Sequence, residues 1–123
     1  MVRPQQVTLG SLVLVSLEQA SAFSMLSDQA FHELAQIVRQ LESGLSHAFH
    51  YDKINYLMLM MVDPDVHFHV FPRYAQVQRF EGQEFHDYGW SGPPDLKQVN
   101  HTAPEMNQKI LSLLQSTLEY DIC

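Results

Sequence analysis

Two hydrophobic rhythms adjoin in this chain, and their order restricts what it can fold into. Between Ser27 and Phe49, Phe31, Leu34, Val38, Leu41 and Leu45 return at steps of three and four, which places them on one stripe of a long helix. Ser27 offers a side-chain oxygen for the N-cap, and Asp28 suits the positive end of the helix dipole. Gly44 is expected to mark the weakening or end of that helix. "VHFHVFPRY", from Val66 to Tyr74, alternates with period two, the rhythm of a strand with two different faces. Between them "INYLMLMMV", Ile54 to Val62, is apolar throughout and reads as a strand buried on both faces. Pro64 supplies a turn, so these two strands are expected to pair antiparallel.

The rest of the chain is consistent with this core. "SLVLVS", Ser11 to Ser16, is a short β-branched run after Gly10 and reads as a strand. Ala75 to His101 holds Gly82, Gly89, Gly92, Pro93 and Pro94 and reads as irregular, with one short strand near Val77 to Phe80. "TAPE", Thr102 to Glu105, has capping-box spacing with Pro104 tolerated in the first turn. Met106, Ile110, Leu114 and Leu118 then space out a final helix. Strands and helices without regular βαβ alternation predict an α+β fold with an antiparallel sheet. The 123 residues are expected to form a single domain, long enough for a core without staples.

Composition narrows the function classes. A net charge of −7 argues against non-specific nucleic-acid binding, which depends on Lys and Arg meeting phosphates. It leaves room for a small phosphate held by backbone N–H groups and a few side chains. The one cysteine, Cys123, reads as a frayed terminal residue and permits no intramolecular disulfide. A reducing cytoplasm is therefore the expected compartment. No apolar run approaches the roughly 20 residues needed to span a bilayer, and "MVRPQQVTLG" does not resemble a signal peptide. No membrane partner is expected.

On a strand, Asp65, His67 and His69 would line one face while Val66, Phe68 and Val70 turn to the core. Three chemistries use such a face. His67 and His69 could chelate a metal, with His86, Asp87 or His101 completing the set, although no second ligand motif accompanies them. They could be polar sheet positions with no further role. Or one imidazole could attack phosphorus while its neighbour stabilises charge, a task for which histidine is suited because it is nucleophilic when neutral near pH 7. Met58, Met60 and Met61 suggest soft-metal ligands only weakly, since methionine more often fills gaps in a core.

The stretch "DVHFHVFPRY" resembles the signature of the histidine triad (HIT) family: His-x-His-x-His, two apolar residues and, in many members, Pro-Arg. Aligning Pro72-Arg73 puts His69 on the last triad histidine and His67 on the middle one. Asp65 then stands at the first position, where a carboxylate could orient a neighbouring imidazole. Asn55, in the preceding strand, matches a family asparagine near the ribose and phosphate. The longer run "DKINYLMLMMVDPDVHFHVFPRY" is similar to a bacterial branch that often carries a non-histidine residue at the first position, and the resemblance extends over Leu12 to Tyr74. It implies a HIT-like fold of about five antiparallel strands with a long helix and a C-terminal helix. It also implies attack by His67 on the α-phosphate of a nucleotide phosphoramidate or dinucleoside polyphosphate, with a purine mononucleotide derivative as the expected ligand. His69 would hold the phosphate oxygens. A covalent nucleotidyl-histidine would be resolved by water or another acceptor, as in a nucleotide hydrolase or transferase, with no cofactor, in a homodimer. Two other readings stand beside this one. The fold could bind nucleotides with weak or no turnover because Asp65 replaces a histidine, or the chain could bind metal through His67 and His69.

Other candidates carry weaker signals. Arg73 could touch phosphate, form a structural ion pair or make a dimer contact. Trp90, with His86 and Tyr88 in "FHDYGWSGPPDL", could stack on a base or simply anchor its loop. His32, His47, His50 and His101 read as surface or helix-end residues.

Overall fold

The computed structural model describes residues 1–118; Cys123 lies outside them. Among the described residues, five strands and two α-helices follow one another as β1 (Leu12–Val15), a 3-10 turn (Phe23–Met25), α1 (Asp28–Phe49), β2 (Lys53–Leu57), β3 (His67–Arg73), β4 (Gln78–Phe80), β5 (Gln83–Phe85) and α2 (Pro104–Thr117). This is the expected α+β class, but the strands are divided between two antiparallel sheets. One is three-stranded with order β1-β3-β2, and β4-β5 form the other.

Helix α1 begins as its sequence requires. The Ser27 hydroxyl accepts a hydrogen bond from the Ala30 N–H at 3.0 Å, closing one of the open donors of the first turn. It does not weaken at Gly44. It continues to Phe49 and ends where His50 turns left-handed at φ 52°. Gly44 instead clears the way for α2: a Cβ there would run into the end of the Leu118 side chain and stand 2.9 Å from the Thr117 hydroxyl. The stripe on α1 divides along its length. Leu41, Leu45 and Phe49 are buried, but Phe31 is exposed and Leu34 and Val38 are only half-buried. Leu45, Val70, Phe85, Ile110 and Leu114 belong to the main core, where the two helices meet the sheet.

Strand β2 departs most from expectation. It ends at Leu57, lies at the sheet edge, and none of its residues is fully buried. The apolar run continues as a loop that turns at Met60, φ 54°. Met58 and Met60 pack around Ala20, Leu26 and Val66 in a small second core, while Met61 and Val62 are 83% and 97% exposed. Uniform hydrophobicity was here a property of a gap-filling loop, not of a doubly covered strand. The antiparallel pairing with β3 is as expected, with Asn55 opposite Phe71 and Leu57 opposite His69.

Two further elements differ. Besides β4 there is β5, joined to it by Glu81 and Gly82 at φ 51° and 80°, the pair of positive φ angles that a tight hairpin turn demands. The start of α2 is not a capping box. Ala103 is the N-cap with no side-chain bond, Pro104 opens the helix, and Thr102 bonds the Asn107 side chain at 2.6 Å. Pro104 fixes φ for the first turn and lacks the N–H that a cap would satisfy.

The N-terminal segment is tied in by polar side chains. Gln6 is fully buried. Its amide donates to the carbonyls of Arg3 at 2.8 Å and Ser11 at 3.0 Å, and its carbonyl oxygen accepts from the N–H groups of Gly10 and Ser11. Asn100 reaches the same segment from the far end of the chain. Its side-chain amide donates to Gln6 and His86 carbonyls at 3.0 and 2.9 Å.

Candidate active site

Strand β3 presents His67, His69, Phe71 and Arg73 on one face, because alternate residues share a side. The opposite face carries Val66 and Val70, both buried, and Phe68, which packs edge-on against Phe23. On β2, Leu57, Asn55 and Lys53 sit directly across from His69, Phe71 and Arg73. On β1, Val15 and Val13 flank His67 and His69. The histidine pair therefore has an apolar wall on either side and a polar corner further along the sheet.

His67 is 7% exposed. Its Nδ1 lies 2.7 Å from the backbone carbonyl of Asp65. A carbonyl can only accept, so Nδ1 carries the proton and the lone pair of the neutral ring is on Nε2. Asp65 itself does not share the strand face. It is exposed and precedes β3, with its N–H donating to the Asp63 carboxylate at 2.9 Å. The contribution of Asp65 to His67 runs through its main chain, not its carboxylate, because the chain bends before the pleat begins.

His69 meets His67 edge-on, ring centroids 5.1 Å apart, and lies parallel to Phe71 at 6.1 Å. Its Nδ1 is buried without a hydrogen-bond partner among the described residues. Burial holds the His69 proton affinity below its ordinary value, and the positive charge of Arg3 and the neighbouring His67 push it the same way. A neutral His69 can still donate one N–H, which is what contact with a phosphate oxygen requires.

Arg73 and Asn55 come together, but as a support. The Arg73 guanidinium donates to the Asp87 carboxylate at 2.7 and 2.9 Å and to the Asn55 side-chain oxygen at 2.7 Å. The Arg73 and Asp87 side chains are 3% and 1% exposed. Of the readings open for Arg73, the geometry is that of a structural ion pair. It fixes the Asn55 amide so that its NH2 faces away from the guanidinium. Trp90 closes this corner: with Ser91 and Gly92 it stands over Lys53, Asn55 and Arg73 around a cavity of about 280 Å³.

The metal reading does not gather its ligands. Among the described residues no three His, Cys, Asp or Glu side chains converge. Asp87 is committed to Arg73, and His86 stacks on Tyr88 at 5.5 Å. Sequence reasoning missed Arg3, whose guanidinium lies over the Phe71 ring at 5.1 Å. The period-two phase of β3 that carries His67 and His69 also carries Phe71, which the sequence reading did not single out; nothing local to "MVRPQ" signals that Arg3 folds back onto it.

No family model matches this chain, and no curated protein does. Solved structures do. A protein described as a hypothetical histidine triad nucleotide-binding protein from Sulfolobus tokodaii superposes with a TM-score of 0.68 at 18% identity, over 96% of this chain and 75% of its own. A histidine triad protein from Sinorhizobium meliloti gives 0.70 at 22%, over 88% and 74%. A Hit-like protein involved in cell-cycle regulation from Bartonella henselae gives 0.65 at 14%, over 94% and 76%. At these identities the likeness is one of fold. The chain has the α+β fold of the histidine triad proteins, as its strand motif led us to expect.

Proposed function

We propose that this chain is a histidine triad nucleotide hydrolase or transferase with His67 as nucleophile. The observation that carries the reading is the 2.7 Å contact between His67 Nδ1 and the Asp65 carbonyl, which leaves Nε2 as the free, basic nitrogen. Nε2 attacks the α-phosphorus of a nucleotide. A P–N bond forms, the bond to the leaving group breaks, and its electron pair departs with that group. Water then attacks the same phosphorus, the P–N bond breaks, and His67 is regenerated. His69 donates to the phosphate oxygens as charge builds on them. Asn55, held by Arg73, positions ribose and phosphate, and Trp90 covers the adjoining corner with a surface suited to stacking on a base.

The test is turnover of adenosine phosphoramidate and diadenosine polyphosphates. The wild type should release mononucleotide and His67→Ala should not. Release at the same rate by both proteins would end this reading. A second reading, nucleotide binding without turnover, is favoured by the first triad position, where Asp65 stands in place of a histidine and lies outside the strand. Binding measured by calorimetry with no product formed would select it.

The reading includes a homodimer in a cytoplasmic setting. β2 is an edge strand, and the uncovered first half of the α1 stripe borders an apolar groove of about 230 Å³ with Leu14, Tyr56 and Phe68. Both are features a second copy could cover. Light scattering should give twice the chain mass, and a monomer at micromolar concentration would remove this part. No helix among the described residues is long and apolar enough to cross a membrane.

A further inference from the structure

We propose that Arg3 is the specificity-determining residue of this site: it holds a phosphate of the leaving group and so favours phosphoanhydride substrates over phosphoramidates. The inference rests on the nucleotide hydrolase reading above. Its starting point is placement. Arg3, Phe71, His69 and His67 form a continuous row on one sheet face, with the guanidinium 5.1 Å from the Phe71 centroid, Phe71 6.1 Å from His69 and His69 5.1 Å from His67. A phosphate at the histidines and the next phosphates of a chain can run along this row.

The second observation is charge. No carboxylate of the described residues lies within 4.0 Å of the Arg3 guanidinium. A half-buried cation with no counter-charge among the described residues, stacked on an aromatic ring, is prepared for an anion. In a chain of net charge −7, a local cation of this kind also offsets the repulsion an incoming polyphosphate meets.

The third is rigidity. Arg3 is not a loose terminal residue. Its N–H donates to the Ser11 carbonyl at 3.0 Å, and its carbonyl accepts from the buried Gln6 amide at 2.8 Å. The backbone that carries the guanidinium is thus held before any ligand arrives.

The chemistry separates the two substrate classes. When the bond from the α-phosphorus to a bridging oxygen breaks, the electron pair leaves on a phosphate whose negative charge grows, and a guanidinium beside it stabilises the transition state. When a P–N bond breaks, the leaving amine takes up a proton and carries no negative charge, so the same guanidinium contributes nothing.

Arg3→Met keeps an unbranched side chain but removes the charged group that lies over Phe71; Arg3→Lys restores the charge. Arg3→Met should lower kcat/KM for diadenosine polyphosphate by about tenfold or more, and change that for adenosine phosphoramidate by less than about threefold. Arg3→Lys should recover most of the loss. An equal fall for both substrates, or no fall for either, overturns the inference. If the wild type turns over neither substrate, the hydrolase reading has failed, and calorimetry still decides on Arg3. The wild type should prefer ADP to AMP and Arg3→Met should lose that preference. An unchanged preference, equal affinities in the wild type, or no binding at all would overturn it.

Discussion

Asp87→Asn isolates the support beneath Asn55, and its cost can be worked from the contacts. Asp87 accepts two guanidinium N–H groups and the Tyr74 backbone N–H, the last at 3.1 Å, at a side chain 1% exposed. Asparagine has the same shape but one acceptor oxygen, and its NH2 would face a donor of Arg73 or Tyr74. It also leaves the Arg73 charge buried without its counter-charge. Breaking one side of a buried pair costs about 3–5 kcal/mol, a large share of the roughly 5–15 kcal/mol that holds a domain folded. With a urea slope of about 1–3 kcal/mol/M, the denaturation midpoint should fall by at least about 1 M. Arg73→Met with Asp87→Leu removes both charges, and should be less destabilised than Asp87→Asn alone. A loss below about 1 kcal/mol for Asp87→Asn, or a double variant worse than the single, would refute the claim that the pair is buried and interdependent.

Tyr74→Phe leaves the Leu9 carbonyl without the hydroxyl that donates to it at 2.7 Å, and should cost about 1–2 kcal/mol in the same urea experiment. Asn100→Ala severs the carbonyl contacts to Gln6 and His86 together with the acceptor for the His86 N–H, and should cost about 2–4 kcal/mol. His69 binds its proton less readily in the folded chain than its ordinary value of 6.5. The folded state therefore holds fewer protons than the unfolded one between that lowered value and 6.5, so stability falls as pH drops through this window. An NMR titration should place the His69 midpoint below 6.5, and Arg3→Met should raise it; a midpoint at or above 6.5 would contradict the burial of this ring.

The parts of the fold legible in the sequence were those set by local rules. Ser27 caps α1 through a bond to a residue three positions away, and the period-two run placed His67 and His69 on one side of β3. What was not legible depended on distant partners. Gly44 looked like a breaker because glycine disfavours helix locally, but its position is set by α2 passing over it. "INYLMLMMV" looked like one buried strand because hydropathy does not say where a strand loses its neighbour. Asp65 looked like a third member of the histidine face because alternation was extended two residues past the start of β3. Arg73, an ambiguous arginine on its own, acquires its role from Asp87, fourteen residues on. Arg3 reaches the site only because Gln6 and Ser11 fold the first residues back across the sheet.

The proposed mechanism requires His67 to form a covalent bond to phosphorus. Rapid mixing with diadenosine polyphosphate, an alkaline quench that preserves the P–N bond, and mass spectrometry of the digested protein would detect that bond. A nucleotidyl adduct is expected on the peptide containing His67, absent in His67→Ala and decaying as mononucleotide appears. Turnover by the wild type with no adduct at any time, or with the adduct on another residue, would contradict it.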